Sequence, residues 1–143
     1  MWIAHYLPFA LITFGASAVC AVIALYAWPR RQGPGIRLFA LLMAALAWAA
    51  FFSAVDYLLS AQALRAKIVV AQLYLLGGGA ASLLVLLFAL RYTHHDRWLT
   101  PAVQWLSWLA LSAEMLVALT NDWHHQYWPS FGVTGPGPDA MVI

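Results

Sequence analysis

The sequence predicts an all-α integral membrane protein, a bundle of four transmembrane helices, and three observations lead there. Of its 143 residues, 64% are hydrophobic and 8% charged, and the mean hydropathy is +0.79, far from the balance of a water-soluble domain. The apolar residues gather into four runs, each close to the roughly 20 residues that cross a hydrocarbon core of about 30 Å. The seven basic and five acidic residues fall at or near the ends of those runs, Glu114 excepted, as the cost of burying charge in a bilayer requires.

The first run covers 7–28. Ala16-Ser17-Ala18 looks like a cleavage site, but no basic segment precedes the run, its length is that of a full span, and Arg30 and Arg31 follow it. Ala18-Val19-Cys20 makes a poor lipoprotein site, because Val19 stands where a small residue is needed. Cys20, the single cysteine, has no partner for an internal disulfide and reads as a small apolar residue.

Pro29 and Gly33-Pro34-Gly35 end that helix, since proline removes a backbone donor and glycine permits a tight turn. The second span is expected over 36–59, the third over 66–92 and the fourth over 101–120, with Pro101 in its first turn. The segment 121–143 is rich in Pro and Gly and lacks periodicity, so it reads as an extracytoplasmic tail or loop. The whole chain, 1–143, is thus a single membrane domain without a soluble one.

Basic residues set the orientation, because Lys and Arg are retained in the cytoplasm. Arg30, Arg31, Arg37, Arg91 and Arg97 fall on one side of the threading, Arg65 and Lys67 on the other. Met1 and Ile143 are therefore expected outside, in a multi-pass protein of the bacterial cytoplasmic membrane whose first partner is the lipid bilayer. The net charge of +2 reflects this topology and gives no reason to expect nucleic acid. Trp2, Tyr6, Trp28, Tyr92, Trp98, Trp123, Tyr127 and Trp128 cluster where spans meet headgroups, as an aromatic belt does.

Lipid-immersed helices gain little from apolar burial and associate through close backbone approach. The glycine-rich patch from Gly77 to Ala81 is therefore expected to pack against a neighbouring helix, so that Gly78→Leu should disrupt the packing, or to serve as a hinge. Ala44, Ala45 and Ala47 give the second helix a similar face.

Polar side chains inside the spans carry the functional signal, since each costs several kcal/mol unless paired, protonated or wet. The threading puts Asp56 near the outer end of the second helix. Glu114 and Gln72 lie about 9 Å inside their outer ends at 1.5 Å per residue, with Tyr74 below and Tyr57 above. Asp56, Gln72, Tyr74 and Glu114 thus form a candidate site for a ligand or a proton in the outer half. The competing reading pairs Asp56 with Arg65 or Lys67 and leaves Glu114 seeking headgroups. His94, His95, His124 and His125 are weak candidates for a metal or an axial ligand, because adjacent histidines point about 100° apart and the two pairs fall on opposite membrane faces. No Ser/His/Asp set, phosphate loop or Cys-x-x-Cys pair occurs, and no catalytic site is expected.

Several motifs recur in a recognisable order: Phe39-Ala40-Leu41-Leu42-Met43 with Trp48, Gln72-Leu73-Tyr74-Leu75-Leu76-Gly77, Phe88-Ala89-Leu90-Arg91-Tyr92-Thr93 with Asp96-Arg97-Trp98-Leu99-Thr100, and Leu119-Thr120-Asn121-Asp122-Trp123-His124-His125-Gln126-Tyr127-Trp128. The set resembles the amino-terminal seven-helix sensor region of bacterial histidine kinases and diguanylate cyclases, over nearly the whole chain. That resemblance implies a membrane input module in signal transduction, coupled to a cytoplasmic output domain, with an acidic residue at the place of Asp56.

The pattern departs from the family in carrying helices one to four only, without a kinase, cyclase or PAS segment, and in having Ala81-Ser82 where a proline is usual. Two readings follow. In the first the chain is a non-catalytic sensor module, or a piece of a longer one. In the second it is an accessory subunit of a photosynthetic or respiratory complex, packing against other membrane subunits or a second copy and holding a pigment, quinone or lipid.

Overall fold

A computed structural model describes residues 2–30, 33, 35–59, 63–124, 133–134 and 141–142. Met1, Arg31, Pro34, His125, Tyr127, Trp128 and Ile143, named above for topology, turn, belt or metal binding, lie outside the described residues. Four long helices dominate: α1 (Trp2–Ala27), α2 (Ile36–Leu58), α3 (Leu64–Tyr92) and α4 (Pro101–Leu119), followed by the single turn α5 (Asn121–His124). All four are long and apolar enough to cross a membrane. The chain is an all-α, multi-pass integral membrane protein.

The helix ends follow from local chemistry. Gly35 takes the left-handed conformation, with φ of 85°, immediately before α2, a geometry that suits a residue without Cβ. Thr100 caps α4, its Oγ1 accepting from the Val103 amide at 3.3 Å, and Pro101 follows in the first turn. His94 ends α3 by adopting φ of 57°. Its amide donates to the Arg91 carbonyl at 3.3 Å, and the His95 amide donates to Leu90 at 2.9 Å, the paired bonds of a Schellman closure.

Helix α1 begins at Trp2 and carries Pro8 inside it. In the tail expected to be irregular, α5 forms one turn and β1 (Val133–Thr134) pairs antiparallel with β2 (Met141–Val142), Val133 facing Val142 and Thr134 facing Met141.

The helices pack in series, α1 on α2, α2 on α3 and α3 on α4. The buried set is mostly alanine, including Ala10, Ala24, Ala40, Ala47, Ala49, Ala54 and Ala81, because small side chains let helix backbones approach. Leu42, Ala81 and Leu84 form the central cluster between α2 and α3. The end helices α1 and α4 leave large apolar side chains such as Leu25 and Trp105 exposed, surfaces suited to lipid or to further helices.

Candidate functional site

Helix α3 is one of the two inner helices of the row, and its glycines face different neighbours. A Cβ on Gly77 would lie 2.9 Å from the Ala49 amide nitrogen and 3.1 Å from the Ala45 carbonyl oxygen of α2, so the two backbones touch there. One turn earlier, the Trp48 indole of α2 donates to the Leu73 carbonyl of α3 at 2.8 Å. A Cβ on Gly79 would instead meet Leu111 Cδ1 at 2.7 Å and Glu114 Oε2 at 3.8 Å, both from α4. Gly78 has nothing within 4 Å, which corrects the expectation that a large side chain there would displace a facing helix. With 100° per residue, positions 77 and 79 lie about 200° apart and address opposite sides of α3, leaving 78 between them.

The four candidate residues divide between these sides. Asp56 belongs to α2: its Oδ1 accepts from Lys67 Nζ at 3.2 Å, and its carbonyl accepts from the same ammonium at 3.3 Å. This ion pair is partly exposed on the aspartate side, at 45%, and contributes little to stability in that setting. Gln72 reaches the other way, its Nε2 donating to the Ala118 carbonyl of α4 at 3.3 Å. Glu114 stands one turn before Ala118, beside Gly79, exposed and without a hydrogen-bond or ionic partner among the described residues.

The structure therefore brings Gln72 and Glu114 to one seam. Tyr74 does not share it: two residues beyond Gln72, it points about 200° away around α3 and is 45% exposed. Tyr57 joins α1, stacked on Tyr6 at 6.4 Å and tilted on Phe9 at 6.1 Å. Ser17 adds a second α1–α2 bridge, its Oγ donating to the Ala47 carbonyl at 2.8 Å.

Among the weak metal candidates, His94 and His95 serve the end of α3, and His95 Nδ1 lies 2.8 Å from the Thr93 carbonyl. His124 lies in the turn α5, next to the exposed Trp123. No group of three or more His, Cys, Asp or Glu placed to hold a metal occurs among the described residues.

At the opposite end of the helices a cavity of about 430 Å³ opens between the α1–α2 loop, α2, α3 and the start of α4. Arg37, Arg91 and Gln104 line it together with Leu38, Leu87 and Leu99. Sequence reasoning used Arg37 for orientation and Arg91 for orientation and the family motif, and neither as a binding group. The available signal was that both arginines terminate spans on the same side of the threading.

Four apolar helices with polar side chains held at their seams define a polytopic membrane protein. Its family is shown by direct comparison: the N-terminal 7TM region of histidine kinase matches residues 12–143, and the chain belongs to that family. No curated protein and no solved structure matches it. Within the motifs that carried the resemblance, Asn121 is 2% exposed and Trp123 is 88% exposed, so the first packs inside the protein and the second faces outward.

Proposed function

We propose that the chain is a non-catalytic input module of a bacterial sensor in the cytoplasmic membrane. Membership of the histidine-kinase 7TM family over residues 12–143 is the observation that supports this reading most. In it, α2 and α3 form a fixed unit, and the α3–α4 seam receives the signal. Gln72 and Glu114 would meet the ligand there, because a polar amide and an unpartnered carboxyl at one helix seam can each gain from a new hydrogen bond. Asp56 holds the outer end through Lys67, and Tyr74 lies at the margin. The loop between α1 and α2 and the loop holding Arg97 face the cytoplasm, and both termini face outward, as the distribution of basic residues favours.

The test is what the protein is coupled to. The tagged full chain, extracted from native membranes in mild detergent, should co-purify with signalling partners such as a kinase or receiver protein, whether or not covalently joined to it. Recovery with electron-transfer subunits instead, at fixed stoichiometry, would replace the input reading by that of an accessory subunit. For orientation, in a background with Cys20 replaced by Ala, a cysteine at position 123 should react with an impermeant maleimide in intact cells and one at position 33 should not; the reverse pattern would invert the topology.

A further inference from the structure

The cavity at the basic end has the chemistry of a binding site, and nothing in the input reading uses it. Its volume of about 430 Å³ falls within the range of about 300–1,000 Å³ typical of small-molecule sites. Two guanidinium groups from different helices line it. Arg37 stands in the first turn of α2 and Arg91 in the last turn of α3. Among the described side chains neither has a carboxylate partner, and the ion pair found there, Lys67–Asp56, lies at the other end of α3. Like charges brought to one cavity repel unless an anion is shared between them.

The remaining lining narrows the ligand. Gln104 adds an amide, fixed by donation from its Nε2 to the Leu99 carbonyl at 3.0 Å, and Leu38, Leu87 and Leu99 supply apolar wall. Arginine forks match the paired oxygens of a phosphate group and hold it through charge-assisted bonds. From these observations we propose that the cavity binds a phosphate-bearing anion between Arg37 and Arg91. The group is carried either on a lipid headgroup, whose glycerol and first methylenes would lie on the leucines, or on a free phosphate. This inference does not rest on the input-module reading, because it concerns the opposite end of the helices and holds for either topology.

The test uses the full chain in detergent with two probes, phosphatidylglycerol followed by native mass spectrometry and inorganic phosphate followed by thermal shift. The wild type should retain phosphatidylglycerol over phosphatidylcholine by about tenfold, because both carry the phosphodiester but the quaternary ammonium of the second offsets its charge beside two guanidinium groups. R37Q/R91Q should lose that preference, while R97Q, outside the cavity lining, should keep it. Retention of phosphatidylglycerol without a shift in inorganic phosphate assigns the lipid source. A shift lost in R37Q/R91Q, without lipid preference, assigns the free anion. Both variants change exposed side chains, and equal unliganded melting temperatures would show that folding is intact. The proposal is overturned if neither probe separates R37Q/R91Q from the wild type, or if R97Q loses binding to the same extent.

Discussion

Gly77 and Gly79 stand two residues apart on α3, yet a methyl group added to the first would strike the backbone of α2, and one added to the second would strike a leucine methyl of α4. Backbone atoms cannot give way without moving a whole helix, whereas a leucine end group can rotate. The α2 side is reinforced by Trp48 donating to Leu73 and by the buried Leu42, Ala81 and Leu84. The α4 side relies on one amide contact, Gln72 to Ala118, and leaves Glu114 exposed. One helix thus presents a tightly fitted face and an adjustable face, and the difference lies in what fills the space left by a missing side chain.

The largest expected effect comes from filling the tight side. Gly77→Val would force α2 and α3 apart and should destabilise the protein by about 3 kcal/mol, the upper part of the range for overpacking; thermal unfolding in detergent measures it. An unchanged melting temperature would show that the two backbones do not depend on that contact. Next in size, Trp48→Phe keeps an aromatic side chain, smaller than the indole, but removes the donor to Leu73, and the lost hydrogen bond should cost about 1 kcal/mol, as interhelical hydrogen bonds in membranes do. The smallest effects belong to the adjustable side and to the open position. Gly79→Ala should cost less than about 1 kcal/mol as Leu111 rotates away. Gly78→Ala meets nothing and should be neutral or stabilising by up to about 1 kcal/mol through helix propensity. If Gly79→Ala proved as damaging as Gly77→Val, the two faces would not differ.

The long apolar runs made the helices readable from sequence, because hydrophobic length in a bilayer admits few alternatives. Depth was only coarsely readable: 1.5 Å per residue put Gln72 and Glu114 level, whereas Glu114 stands beside Gly79, seven residues further along α3 than Gln72. Azimuth was not. Depth alone grouped Tyr74 with Gln72, although two residues rotate about 200° on a helix and send them to different sides. The same omission assigned to Gly78 a helix contact that falls instead on Gly77 and Gly79. A hydrophobic face would normally supply the missing rotation, but lipid-facing and helix-facing surfaces are both apolar here, so sequence carries little azimuthal signal. The cavity at Arg37 and Arg91 was hidden for a related reason: its walls come from three helices and a loop distant in sequence.

The central claim is that α3 is fixed to α2 and adjustable against α4, with Glu114 acting on the second seam alone. Spin labels in nanodiscs, on a Cys20→Ala background, test it through two distance distributions: positions 46 and 85 for α2–α3, and positions 85 and 109 for α3–α4. The first distribution should be narrow and unchanged by Glu114→Gln; the second should be broader and should shift with that substitution. Equal widths, or a Glu114→Gln effect confined to the α2–α3 pair, would contradict the account.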